Sequence, residues 1–113
     1  MLLNKLKCFF MKAHYRTIEE DDIDMEKLNN LKDRGAILID VRSKQEYEEG
    51  HLENAISIPE YEIKFKAKEI LKNKEQNIIV YCSSGIRSKN AQKKLYSMGY
   101  YNVFNLYQGL ENY

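Results

Sequence analysis

From residue 15 onward, short β-branched or apolar runs alternate with stretches of helical periodicity, and this alternation constrains the fold more than any other feature of the chain. A run that is apolar at successive positions buries both of its faces, as a central strand of a parallel sheet must. Parallel neighbours in turn need crossover connections, which helices supply. Residues 36–41 and 77–81 are runs of this kind. Residues 15–18, 55–58 and 102–106 read as further strands, the first of them at an edge. Between the strands, Met25, Leu28 and Leu31 form one helical stripe, Ile63, Ala67, Ile70 and Leu71 a second, and Ala91, Leu95 and Met98 a third. Ser43 followed by Glu46 predicts a capping box at the start of another short helix, and Pro59 suits the first turn of the helix after residues 55–58. The acidic run from Glu19 to Glu26 reads as a solvated loop and helix start. The pattern predicts an α/β fold, a parallel sheet covered by helices.

A chain of 113 residues has material for one core, and with 43% hydrophobic residues it can fill that core, which excludes a disordered chain. Eighteen Lys plus Arg stand against 17 Asp plus Glu, so there is no basic surplus to hold nucleic acid, and recognition must come from a local site. The two cysteines, Cys8 and Cys82, form neither a disulfide framework nor a CxxC motif, which points to a reducing, cytoplasmic setting. No apolar stretch approaches the length of a transmembrane helix. Residues 1–14 read as a separate N-terminal arm ahead of a domain over 15–113. In the arm, Leu2, Leu3, Leu6, Phe9, Phe10 and Ala13 recur at helical spacing with Lys5, Lys7 and Lys12 between them. A cationic amphipathic helix at a membrane surface and a short arm packed on the domain both fit; the interrupting lysines do not fit a secretory signal. Met11 also offers a second start of translation.

The stretch that carries chemistry follows the strand at 77–81: Cys82-Ser83-Ser84-Gly85-Ile86-Arg87-Ser88, with a helix beginning inside it. Ligands of open α/β sheets bind beyond the carboxyl ends of the strands, so Cys82 stands where a substrate arrives. The small residues Ser83, Ser84 and Gly85 let the backbone curl until successive N–H groups point inward, a nest for an anion capped by a helix N-terminus. Such a loop favours a thiolate at its centre, and Arg87 adds a fixed positive charge suited to an oxyanion. The plainer alternative makes Cys82 an inert strand-end cysteine and Arg87 a surface residue. Asp40 and Arg42 leave the neighbouring strand and predict an ion pair that fixes the loop, with Arg42 alternatively meeting an anionic substrate. For Glu46 the capping box is explanation enough. His51 is a candidate general base, and Cys8 a candidate resolving thiol or an incidental one.

These residues resemble the rhodanese-like domains. Ile39-Asp40-Val41-Arg42, Glu46-Tyr47, Gly50-His51-Leu52, the 54–59 segment, the Cys82 loop, Gly99-Tyr100 and Asn102-Val103 follow in that family's order. The resemblance implies a three-layer α/β/α fold with a five-stranded parallel sheet, and a cysteine that takes up sulfane sulfur as a persulfide and passes it to a nucleophile. Cys82 would be the nucleophile, the amides of Ser83, Ser84, Gly85, Ile86, Arg87 and Ser88 the anion cradle, and Arg87 the closing side chain. At His51 the resemblance implies, instead of a base, a residue orienting the turn before the third strand. It implies no metal and no organic cofactor. The donor would be a small sulfur compound such as thiosulfate, the acceptor a thiol or cyanide, with thioredoxin or a sulfur-carrier protein as possible macromolecular partners and no nucleic acid. Four residues separate Cys82 from Arg87, a tighter ring than a phosphatase-like or arsenate-reducing relative uses. Those relatives, and a non-catalytic binding module on the same fold, are the alternatives. Gln108, where a glycine often precedes Gly109, and Tyr113, where a tryptophan is common, depart from the family pattern, and both are read as features of the last turn and not of the site.

Overall fold

Two four-residue strands with almost wholly buried side chains form the centre of the sheet. In the computed structural model, which describes residues 21–112, β2 (Ile37–Asp40) and β4 (Ile78–Tyr81) run parallel, with Ile37 opposite Ile78 and Asp40 opposite Tyr81. On the other side of β4 lies β5 (Val103–Leu106), and the edges are β1 (Asp22–Ile23), paired with β5, and β3 (Ile56–Ser57), paired with β2. The order is β1-β5-β4-β2-β3 and every pairing is parallel. Each connection must therefore cross the sheet. The crossovers are carried by α1 (Met25–Asp33), α2 (Lys44–Glu49), α3 (Ile63–Ile70) and α4 (Ile86–Ser97).

Side chains of a strand alternate between its two faces, and here each face meets its own helices. Ile39, Val41, Ile78, Val80, Cys82 and Val103 pack against Ile63, Ala67 and Leu71 from the α3 side and Ala91 and Leu95 of α4. Leu38, Ile79, Tyr81 and Leu106 pack on the opposite face against Leu28 and Leu31 of α1, with Tyr47 of α2 beside them. The result is the three-layer α/β/α arrangement with a five-stranded parallel sheet.

The helix starts are specified locally. Asp24 caps α1 by accepting from the Lys27 N–H at 2.9 Å. Ser43 caps α2 in a complete capping box: its Oγ accepts from the Glu46 N–H at 3.2 Å, and Glu46 Oε1 accepts from the Ser43 N–H at 3.1 Å. Pro59 stands one step earlier than the sequence predicts, ahead of a 3-10 turn (Glu60–Glu62) that leads into α3.

The largest difference from the sequence reading is at the first edge. The strand that pairs with β5 is Asp22–Ile23, inside the acidic run read as a solvated loop. Asp22 tolerates burial there because its Oδ1 accepts from Lys89 Nζ at 2.6 Å and from Asn105 Nδ2 at 3.4 Å. The strand expected at 15–18, the arm over 1–14, Cys8 and Tyr113 lie outside the described residues. Among the described residues, no helix is long and apolar enough to cross a membrane.

Candidate active site

β2 and β4 lie side by side in the sheet, so their carboxyl ends deliver Asp40 to Arg42 and the Cys82 loop to one edge. Cys82 follows the last residue of β4 and is fully buried. Gly85 takes φ 95°, a left-handed conformation that glycine adopts without strain, and this turn starts α4. The turn folds the loop back on the sulfur: the Gly85 N–H donates to Cys82 Sγ at 3.1 Å, the Ser88 N–H at 3.4 Å, and Ser88 Oγ lies 3.3 Å away. Two amides and a hydroxyl thus converge on one sulfur atom. Of the six loop residues expected around it, Gly85 and Ser88 make these contacts. Ser83 Oγ instead donates to Glu46 Oε2 at 3.4 Å, and the Ile86 side chain is exposed.

Arg87 is held by a carboxylate. Its Nη1 donates to Glu46 Oε1 at 2.7 Å and its Nη2 to Oε2 at 3.1 Å, a two-pronged pair that ties α4 to α2. Sequence reasoning gave Glu46 only the capping role and missed this one, because 41 residues separate the partners and no spacing rule links them. The Arg87 guanidinium, with the Ser43 hydrogen bonds behind it, holds the Glu46 carboxyl down from 4.5 to about 2. A carboxyl whose folded value is depressed contributes stability above its unfolded value and loses it as pH falls toward the folded one. The melting temperature is accordingly expected to decline between about pH 4.5 and 2 more steeply in the wild type than in Glu46→Gln, measured side by side. Equal slopes would show that the pair adds nothing to folding.

Asp40 and Arg42 form the ion pair. The Asp40 carboxylate accepts from Arg42 N–H at 2.9 Å, Nε at 3.0 Å and Nη2 at 2.7 Å, and Arg42 Nη2 also donates to the Gly50 carbonyl at 2.5 Å. Both residues are buried. Tyr81 Oη donates to Asp40 Oδ2 at 2.8 Å while accepting from the Leu52 N–H at 3.0 Å, and burial pushes the Tyr81 hydroxyl well above its ordinary value. The network pins the segment before β3 to the ends of β2 and β4. His51 serves the same segment: its ring stacks on Tyr47 at 3.7 Å, and Nδ1 lies 2.8 Å from the Tyr47 carbonyl.

The last turn belongs to the site, contrary to its reading from sequence. The Leu110 N–H donates to the Cys82 carbonyl at 2.8 Å and the Glu111 N–H to the Ser83 carbonyl at 2.9 Å. Gln108 and Gly109 both take positive φ, 64° and 79°, so the turn presses its backbone onto the loop. A Cβ on Gly109 would stand 2.5 Å from Ser83 C and Ser84 N. The backbone of Gln108 lies against the loop as well, its N 3.2 Å from where a Cβ on Gly85 would stand. Among the described residues, no three His, Cys, Asp or Glu side chains group so as to hold a metal ion.

Comparison with known proteins agrees with this geometry. The model of the rhodanese-like domain family matches residues 24–113. A tRNA uridine(34) hydroxylase of Photorhabdus laumondii is 33% identical over 93 residues, 78% of this chain and 26% of that protein. One of Hamiltonella defensa is 36% identical over 87 residues, 74% and 24%. The chain thus spans about a quarter of the length of these curated relatives. Among solved structures, a human single-domain sulfurtransferase, TSTD1, superposes with TM-score 0.71 at 25% identity, over 80% of this chain and 92% of that one. A rhodanese with anions from E. coli does so with TM-score 0.64 at 33% identity, over 70% and 92%.

Proposed function

The chain belongs to the rhodanese-like domain family, and on that premise we propose that it is a sulfurtransferase, moving sulfane sulfur from a donor such as thiosulfate to a thiol or cyanide through a persulfide on Cys82. The observation that carries this reading is the convergence of the Gly85 and Ser88 amides and the Ser88 hydroxyl on one sulfur. Donors aimed at a single atom stabilise negative charge there without reorganising during the reaction. The Cys82 thiolate attacks the outer sulfur of the donor, a new S–S bond forms, and the donor's old bond breaks with its electron pair leaving on sulfite or a thiolate. In the second half, the acceptor attacks the terminal sulfur and Cys82 departs as the thiolate that the cradle holds. Neither half requires a proton to move through a side chain, which fits the contacts of Sγ among the described residues, two amides and a hydroxyl, and the stacked, capping placement of His51. The terminal sulfur of a persulfide stands about 2.05 Å beyond Sγ, so sulfur carried on a fully buried cysteine is carried one bond nearer the acceptor.

A near-neutral surface and a reducing compartment, where a free thiol persists, suit this chemistry. Intact mass after incubation with thiosulfate or an alkyl persulfide tests it. A gain of one sulfur atom, reversed by cyanide or a small thiol, is expected; no gain from any sulfane donor would overturn it in favour of a binding module. The relatives named tRNA uridine(34) hydroxylase favour a second reading, in which the same domain serves a protein that modifies tRNA. The balance of 18 basic and 17 acidic residues supplies no surplus for phosphate contacts, and it keeps sulfur transfer ahead.

A further inference from the structure

Both arginines at the carboxyl edge of the sheet are engaged by carboxylates of the same chain. Arg42 is buried against Asp40, while Arg87, whose side chain is 40% exposed, is clasped through both terminal nitrogens by Glu46. Arg87 stands in the first turn of α4, which the Cys82 loop leads into. Glu46 is fixed in turn by the Ser43 N–H and hydroxyl at 3.1 and 3.0 Å, and it meets the loop again through Ser83 Oγ. The one exposed cation of the loop is therefore matched by an anion that the capping box cannot easily release.

From this arrangement we propose that Glu46 determines donor specificity: by neutralising Arg87 it sets the charge beside the cradle, so that Cys82 loads from a singly charged persulfide in preference to dianionic thiosulfate. The proposal rests on the sulfur-transfer reading above. In the favoured reaction, R–S–S⁻ meets the Cys82 thiolate, the bond between R–S and the outer sulfur breaks, and R–S⁻ leaves as Cys82–S–S⁻ forms. Two negative charges enter and two leave. With thiosulfate the same attack releases sulfite dianion, and three negative charges must share the site at encounter. Only an unmatched cation offsets the third, and Glu46 removes it.

The test uses the full chain, with thiosulfate and cysteine persulfide as probes and initial loading of Cys82 read by intact mass. Four proteins are compared: wild type, Glu46→Gln, Arg87→Gln and the double variant. Glutamine retains a side-chain oxygen that accepts from Ser43, so the cap survives the first change. The ratio of thiosulfate to persulfide loading is expected to rise about tenfold in Glu46→Gln, through KM and not kcat, and to lose that gain at high salt. It is expected to fall in Arg87→Gln, where Glu46 stands unmatched, and to return to the wild-type value in the double variant. Should Glu46→Gln not fold, the fall in Arg87→Gln and the return in the double variant still decide the matter. A ratio indifferent to the summed charge, with both donors loading, overturns the role of Glu46 alone. If neither donor loads the wild type, the sulfur-transfer reading falls with it.

Discussion

Cys82→Ser is expected to take up no sulfur from thiosulfate or from a persulfide, a loss of roughly a thousandfold or more in loading rate, while remaining folded. A serine hydroxyl is un-ionised at neutral pH and attacks sulfur poorly, so if Cys82 is the nucleophile, as proposed, its loss removes the reaction and not merely its efficiency. The fold should survive because oxygen accepts hydrogen bonds as sulfur does, and the Gly85 and Ser88 amides keep a partner. Replacing a buried sulfur by a smaller polar atom is expected to cost about 1 to 2 kcal/mol, visible as a modest drop in melting temperature. Intact mass and a thermal melt on the same sample separate the two effects. Cys8 remains in the variant as a second thiol in the same solution. Sulfur appearing on the Cys82→Ser protein would transfer the assignment to Cys8 or to surface chemistry and end the account of the cradle.

The parts of this molecule that the sequence reveals are those whose cause is local. The apolar runs behind β2 and β4 report burial on two faces, and the spacing of Ser43 and Glu46 reports a cap whose donors and acceptors are three residues apart. The Cys82 loop is legible because its small residues and its glycine are themselves the reason the backbone can curl round the sulfur. What escapes the sequence depends on partners far along the chain. Asp22 looks like a loop residue until Lys89, 67 positions later, neutralises it inside an edge strand. Glu46 looks complete as a cap until Arg87 arrives from α4. In each case a charged residue breaks the local pattern, and the compensation comes from an element that only the assembled sheet brings near. The last turn is the hardest case, because what joins it to the site is backbone, which carries no side-chain signature.

That turn supplies the other large effect. Gly109→Ala is expected to destabilise the chain by about 2 to 5 kcal/mol and to abolish most sulfur loading in whatever fraction still folds. The estimate joins two costs. A left-handed conformation such as the φ of 79° at Gly109 costs an alanine about 1 to 2 kcal/mol. The added methyl would stand 2.5 Å from Ser83 C and Ser84 N, atoms of main chain that no rotamer change can clear, and overpacking of this kind costs about 1 to 3 kcal/mol. The chain can relieve the clash only by parting the last turn from the loop, which breaks the hydrogen bonds from the Leu110 and Glu111 amides to the Cys82 and Ser83 carbonyls. Those bonds fix the first residues of the ring whose other side presents Gly85 and Ser88 to the sulfur, so displacement here misaims the amides that meet Sγ. Gln108→Gly, one residue earlier, is the control. Gln108 already bears a left-handed φ of 64°, and glycine there relieves that strain while adding freedom to the unfolded chain, so stability is expected to change little and loading to persist. Denaturant melts and loading rates on the two variants distinguish contact with the loop from a general weakening of the turn. A Gly109→Ala protein that melts and loads like the wild type would show that the loop holds its shape without the turn behind it.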